Sequence, residues 1–306
     1  MMLMSKGNVE ITKDKDSEHF DVLIVGAGIS GVAAGVYLNK YCPSEKFLIL
    51  EAEESYGGTW WTHRSPGIRS DSDLHTFGYS FKPWIGPPIA TASEILSYMG
   101  DVIKENRLEE SIRYKHRILR ANWCNAEKQW FIEAECLENK ELTHFRVNFL
   151  WMCQGYYRHN EGYTPNWDGV SDFKGRIAHP ENWPDDLDYK DKKVVVIGSG
   201  ATAATVVPAM ASSAKHVTML QRTPTFFRTG RNAIEIAETL RELNIDETWI
   251  HEITRRKIMH DQTTFTARCR SEPEKVRDEL IQNIRDLLGP DYDVEKHFTP
   301  PYRPWR

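Results

Sequence analysis

The sequence predicts an α/β fold in which one strand–turn–helix–strand unit is used twice, and three observations predict it. Residues 19–26, HFDVLIVG, form a short apolar run that leads into Gly26-Ala27-Gly28-Ile29-Ser30-Gly31, a helical stretch and a second apolar run, KFLILE. Residues 192–200, KKVVVIGSG, repeat the arrangement ahead of Ala201-Thr202-Ala203 and a helical stretch, with HVTMLQRT as the matching strand. Beyond about residue 230 the pattern turns helical, and no further strand is expected there. Short apolar runs that alternate with helical patterns argue parallel strands in βαβ units.

Composition sets the bounds. A chain of 306 residues has room for about two domains, each with its own core. Forty per cent hydrophobic and 27% charged residues are ordinary for a globular protein. The net charge of -5 comes without a basic stripe, which argues against nucleic acid as a partner. The five cysteines, Cys42, Cys124, Cys136, Cys153 and Cys269, are scattered and form no C-x-x-C. That pattern fits a reduced, cytoplasmic protein better than a disulfide scaffold. The apolar start of the N-terminus is too short for a signal peptide, and no run approaches the roughly 18 apolar residues of a membrane span.

The elements follow in order. Residues 1–19 read as a flexible tail and 20–155 as the first domain. Within it, GVAAGVYLNK is a helix and 55–92, rich in Gly, Pro and aromatics, forms long specific loops. A helix is expected around 92–105, strands around 113–136, and a buried strand in FRVNFLWMCQG ending at Gly155. Residues 156–190 read as a linker and 191–306 as the second domain with a helical insertion. Ser271-Glu272-Pro273-Glu274 has the form of a capping box. Val276, Leu280, Ile281, Ile284, Leu287 and Leu288 then share a helical face that Gly289-Pro290 ends.

The chemistry lies in the two turns. In the first, the glycines let the backbone approach a pyrophosphate, and the helix N-terminus supplies N–H groups and positive potential. Glu51, at the end of the next strand, would accept hydrogen bonds from ribose hydroxyls and repel a 2′-phosphate, so this site should take FAD or NAD. The second turn, Gly198-Ser199-Gly200-Ala201-Thr202-Ala203, has alanine in the third small position, which serves helix–strand packing. Its strand ends in Arg222 and Thr223, where a guanidinium can grip a 2′-phosphate, so it reads as an NADPH site. FAD in the first site and NADPH in the second imply hydride transfer from nicotinamide to flavin. Gly57-Gly58-Thr59-Trp60 suggest a further close backbone approach to the flavin nucleotide. The charged cluster in HRSPGIRSDSD reads either as solvated surface or as part of the site, and on spacing alone His179 is as readily an ordinary loop histidine. It is not a metal ligand, since no second His or Cys stands at ligand spacing, and no metal site is expected.

Between the two turns lies FKGRIAHPENWP, Phe173 to Pro184, which matches the F-x-G-x-x-x-H-x-x-x-W-P fingerprint of Baeyer–Villiger monooxygenases at every fixed position. Relatives that N- or S-hydroxylate carry Tyr or Phe in place of the tryptophan. GGTWW, PGIRSDSDLHTFGYSFKPW, GYYRHNEGYTP, IGSGATAATVVPAM and HVTMLQRTPT resemble the ketone- and thioamide-oxidising branch, so the resemblance covers residues 20–306. It implies two Rossmann-like dinucleotide-binding domains, the NADP domain inserted in the FAD domain. Carried over residue by residue, Gly26, Gly28, Ser30, Gly31, Glu51, Thr59, Trp60 and the backbone at Ile118 are expected to contact FAD. Arg69, Ser70 and Asp71 match the loop between flavin and nicotinamide. Gly198, Ser199, Gly200, Ala201, Thr202, Ala203, Ala204, Arg222 and Thr223 match the NADP site. Two catalytic roles are implied: Asp71 orients an active-site arginine, and His179 couples movement of the NADP domain to the flavin site.

The reaction implied is oxidation of a ketone to an ester or lactone with O2 and NADPH, with S-oxidation as a second activity; membrane association is not indicated. The substrate is a small ketone or sulfur compound. Family members run well past the equivalent of Trp305-Arg306, so the resemblance implies a C-terminally truncated chain whose active-site arginine lies beyond residue 306. Two other readings are an N- or S-oxygenating flavin enzyme and a nucleotide-binding protein without catalysis.

Overall fold

A computed structural model describes residues 17–159 and 161–305. The strands are β1 (Glu18–Val25), β2 (Phe47–Leu50), β3 (Ile112–Arg113), β4 (His116–Cys124), β5 (Gln129–Cys136), β6 (Leu142–Met152), β7 (Lys193–Ile197) and β8 (His216–Leu220). The helices are α1 (Ile29–Tyr41), α2 (Thr59–Thr62), α3 (Leu74–Phe77), α4 (Ala92–Glu105), α5 (Ala201–Ala211), α6 (Glu235–Glu242), α7 (Glu247–Ser271), α8 (Pro273–Leu288) and α9 (Val294–Phe298). Of the expected tail 1–19, residues up to 16 lie outside the described residues, and Glu18 and His19 already belong to β1. They pair with Phe145 and Arg146 of β6, which starts the strand at Glu18, one residue before the apolar run of 19–26.

The chain divides into two compact units, one running up to Arg64 and resuming over Ser93–Asn182, the other made of Ser65–Ala92 and Trp183–Arg306. These limits differ from the sequence reading in two places. Residues 156–182 stay with the first unit. The loop 65–92 goes with the second: it is closed on itself by the Ser70 and Leu74 amides, which donate to the Ala90 and Pro88 carbonyls, and further bonds run to the later part of that unit. Asn232 brackets the backbone of Ile89 from both sides, and Arg255 of α7 donates to the His75 carbonyl.

The first unit is built on a six-stranded sheet of order β3-β2-β1-β6-β5-β4. β1, β2, β3 and β6 run parallel at its heart, and β4 and β5 form an antiparallel wing. β6 joins the two parts by pairing with β5 through its first half and with β1 through its second. Val22, Leu23 and Ile24 are all buried, as expected of a parallel strand covered on both faces. Phe20, Leu48, Ile132, Phe145 and Val147 share one core cluster. α1 lays Val32, Ala34, Val36 and Leu38 on the sheet, and Pro43 follows its last turn.

The second unit holds the two-stranded parallel sheet β7-β8, with α5 between its strands in sequence. Beyond β8 the described residues contain helices only. Cys269, Val276 and Leu280 form one apolar cluster, and Ile281, Ile284 and Val294 form another beside it. Leu287 and Leu288, expected on the same buried face, are exposed. The capping box does not form either. Ser271 remains the last residue of α7, with its hydroxyl bonded back to Ala267, and Pro273 opens α8 directly. All five cysteines are free. Among the described residues no helix is long and apolar enough to cross a membrane.

Candidate functional site

The first turn is set by its own backbone. Gly26 has φ 97° and donates from its amide to the Leu50 carbonyl at 2.7 Å, joining the end of β1 to the end of β2. A Cβ on Gly31 would stand 1.9 Å from the Gly26 carbonyl oxygen, so this position accepts glycine alone and lets α1 sit close over β1. Gly28 differs. Its Cβ would meet only the Cα of Gly58, at 3.8 Å, and Gly28 is the N-cap of α1 with no side-chain cap of its own. The first and third glycines therefore answer to the fold, and the second leaves an open approach to the helix N-terminus, the arrangement a pyrophosphate needs. Ser30 is exposed in the first turn of α1.

Glu51 is buried, and both its oxygens are engaged: one accepts from the Ala27 amide at 2.7 Å, the other from the Glu53 amide at 2.9 Å. Each oxygen keeps a further lone pair for a ribose hydroxyl. Burial, and then the neighbouring Tyr56 and Glu51, push the Tyr114 phenol up to about 12, so it stays protonated beside the carboxylate. Gly57 donates to the Ala27 carbonyl, and the left-handed Gly58 (φ 53°) opens α2, whose first residues are the half-buried Thr59 and Trp60. The structure thus brings Gly26 to Gly31, Glu51 and the Gly57–Thr59 segment together. Ile118 stands on β4, opposite Ala134 and beside a register shift, and packs with Val25 against the core cluster that holds Leu50.

The second turn repeats the first. Gly198 has φ 125° and donates to the Leu220 carbonyl at 2.8 Å, and Gly200 is the N-cap of α5. Nothing lies within 4 Å of a Cβ built on Gly198 or Gly200. Ala203 is buried and Ala204 half-buried, while Ala201 and Thr202 face solvent. The Ser199 hydroxyl donates to the Thr223 carbonyl at 3.2 Å, which pins the segment after β8, and Arg222 and Thr223 are exposed there. An exposed guanidinium beside an open helix N-terminus suits a doubly charged phosphate.

The loop carrying Arg69, Ser70 and Asp71 belongs to the second unit, where a Cβ on Gly67 would come within 2.7 Å of Ala209 on α5. Arg69 bridges to Thr91, and the buried Ser70 hydroxyl accepts from the Ala90 amide, so both hold the loop's shape. Asp71 is exposed, with the Ser72 hydroxyl on its carboxylate.

The fingerprint straddles the division of the chain between Asn182 and Trp183. In its first part the Phe173 ring lies over Gly175, where a Cβ would come within 2.5 Å of it. Trp183 packs edge-on against Tyr189. His179 is half-buried and packs on Gly162, whose Cβ would fall 2.1 Å from its Nδ1. That nitrogen accepts from the Glu181 amide at 3.3 Å, which places the ring proton on Nε2. Around it are residues the sequence did not single out. The Thr62 hydroxyl and His159 Nδ1 are 2.9 Å apart, Asn182 donates to the His159 carbonyl, and Asn182 accepts from the Gly162 amide. His63 is buried edge-on to Tyr157, and burial followed by His159 pushes its pKa down. No local pattern marks Thr62, His63, His159 and Asn182, because their partners are distant in sequence. Among the described residues no group of three or more His, Cys, Asp or Glu is arranged to hold a metal.

Residues 20–276 match the family model described as pyridine nucleotide-disulphide oxidoreductase. The chain is 47% identical over 287 residues to a probable FAD-binding monooxygenase, AlmA, of an Acinetobacter species, covering 93% of this chain and 57% of that protein. It is 44% identical over 291 residues to the FAD-containing monooxygenase EthA of Mycobacterium tuberculosis, covering 94% and 59%. The chain therefore spans under two thirds of the length of these relatives. Among solved structures, a steroid monooxygenase bound to NADP superposes with a TM-score of 0.71 at 22% identity, covering 93% of this chain and 60% of that one, and shares the fold. An OTEMO complex with FAD and NADP gives a TM-score of 0.57 at 28% identity, covering 68% and 40%. The chain belongs to the pyridine nucleotide-disulphide oxidoreductase family.

Proposed function

We propose that this chain carries the two nucleotide sites of an FAD- and NADPH-dependent monooxygenase that oxidises a small ketone to an ester or lactone, with sulfur compounds as a second substrate class. One observation carries the reading: two turns of the same backbone geometry end in opposite charges, the buried Glu51 and the exposed Arg222. Glu51 suits a nucleotide with free ribose hydroxyls, and Arg222 suits one with a 2′-phosphate. The Trp183-Pro184 end of the fingerprint favours ketone over purely N- or S-directed chemistry.

In this reading the open backbone at Gly28 and the α1 N-terminus hold the FAD pyrophosphate, and Glu51 holds its ribose. The Gly200 N-terminus of α5 holds the second pyrophosphate, with Arg222 and Thr223 on the 2′-phosphate. Bound flavin supplies the two-electron chemistry that takes hydride from NADPH and activates O2. Asp71 is assigned the orientation of an arginine, and His179 the shape of the loop between the two sites.

The test is the visible spectrum of the purified chain after addition of FAD. The proposal expects close to one flavin per chain, reduced faster by NADPH than by NADH. Ester formation matched to NADPH consumption supports ketone oxidation, and sulfoxide as the sole product moves the reading to the second class. A chain that stays colourless with added FAD removes the monooxygenase reading.

A further inference from the structure

The four-residue helix α2 is far too short to hold itself together, since isolated helices need on the order of a dozen residues. Yet it follows Gly58, whose Cβ, if present, would stand 3.3 Å from the Cα of Gly28 in the first turn. Something outside α2 has to fix it. Thr62, its last residue, provides the attachment. The Thr62 hydroxyl donates to the Gly58 carbonyl at 3.0 Å, so it accepts from His159 Nδ1–H at 2.9 Å, which sets the His159 tautomer. The His159 carbonyl accepts from the Asn182 amide nitrogen at 3.2 Å. The Asn182 side-chain oxygen accepts from the Gly162 amide at 2.9 Å, and the Asn182 backbone amide donates to the His179 carbonyl at 3.0 Å. Every bond lies within the first unit and spans up to 97 residues of sequence.

We infer that Thr62, His159 and Asn182 are positioning residues that tie the His179 turn to the Gly58–Thr62 segment facing the first glycine turn. The inference rests on the FAD reading for its functional consequence, but its geometry stands without it. Asn182 joins the turn to His159 and Gly162, His159 carries the connection to Thr62, and Thr62 transmits it to the Gly58 carbonyl. A change at Asn182 is therefore felt at Gly58, where the backbone comes closest to Gly28.

Two measurements test this on the whole chain. The first is hydrogen exchange of the free protein. Asn182→Ala should speed exchange of the Trp60, Trp61, Thr62 and His63 amides by about five-fold, as expected for the loss of one or two modest hydrogen bonds. Exchange that rises only over residues 159–182 overturns the inference. Asn182 is exposed, so truncation opens no cavity. If Asn182→Ala fails to fold, Asn182→Asp serves: it keeps the acceptor for Gly162 and loses the donor to His159, and it should give a smaller increase over the same four amides. The second is an FAD titration by fluorescence. Asn182→Ala and Thr62→Val should each weaken binding about five-fold, and the double variant should be no weaker than the worse single one, because both break the same chain. Effects that multiply overturn it. A wild-type chain that takes up no FAD overturns the functional reading instead, and the exchange result alone then decides the positioning chain.

Discussion

The first turn, Gly26 to Gly31, and the second, Gly198 to Ala203, have nearly the same backbone and different attachments. Both open with a left-handed glycine whose amide donates across the sheet, at 2.7 and 2.8 Å, and both close with an N-cap glycine accepting at 3.0 Å from the amide four residues on. The N-caps themselves differ by under ten degrees in φ, -72° against -81°. They part at the third small position, Gly31 against Ala203, and at the end of the second strand. Glu51 is buried and bonded into the first turn through Ala27, whereas Arg222 stands in solvent and it is Ser199 that reaches the strand end, through Thr223. The backbone of such a turn follows from joining a parallel strand to a helix. The strand-end residue proposed to choose the nucleotide is part of the fold in one case and an addition to it in the other.

The third position should give the largest effect. Gly31→Ala places a methyl group 1.9 Å from the Gly26 carbonyl oxygen, backbone against backbone, and should cost about 3 kcal/mol. Ala203→Gly, the reverse change at the matching place, should cost about 1 kcal/mol. Denaturant unfolding measures both. Equal losses would mean that the two turns pack alike, which would undo the distinction.

The strand ends come next. Glu51→Gln leaves one of the Ala27 and Glu53 amides facing an NH2 donor and should cost about 2 kcal/mol of stability, with weakened FAD retention. Arg222→Ala should change stability by no more than about 0.5 kcal/mol. It should nevertheless weaken NADPH by about 10- to 100-fold and leave NADH nearly unchanged, since only NADPH carries the 2′-phosphate. Equal losses for the two nucleotides would remove the assignment of Arg222.

How much of this could be read in the sequence follows from where the partners lie. β1, α1, β2 and their second copy were legible because strand, turn and helix are adjacent, and the glycine spacing records the turn. The sequence reads the loop 65–92 with the first domain, because its attachments to Asn232 and Arg255 come more than a hundred residues later. The sequence suggests Glu51 as a ribose acceptor but does not reveal its bond to Ala27, since a glutamate at a strand end looks the same with or without it. The capping box failed because Ser271 had an equally local alternative, the Ala267 carbonyl one turn back.

Acid should act on both units and by a smaller amount, since the first unit also buries a histidine, His63, whose pKa burial pushes down. The second unit buries His75 and His251, both with pKa values pushed down by burial first. Asp73 and a Gly86 backbone bond oppose the shift at His75, His251 and Arg241 reinforce it, and at His251 Arg255 outweighs Glu252. A base with a depressed folded pKa is neutral when folded and charged when unfolded, so its stability is complete above the unfolded value of about 6.5 and is lost as pH falls through the folded one. Unfolding free energies at pH 7.5 and 5 should differ by on the order of 1 kcal/mol, and His75→Gln should flatten the difference. An unchanged slope in that variant would place the acid sensitivity elsewhere.

The smallest expected effect falls on Ser199. Its hydroxyl bond to Thr223 is exposed, so Ser199→Ala should lower stability by only about 0.5 kcal/mol. The matching residue in the first turn, Ala27, already lacks a hydroxyl and is tied to its strand end by its amide instead. If the Ser199 bond serves to hold the Arg222-Thr223 segment in place, NADPH affinity should fall a few-fold while NADH affinity stays constant. If both nucleotides weaken together, the hydroxyl acts on the shared pyrophosphate site. The two turns would then differ in the identity of the strand-end residue and not in how that residue is held.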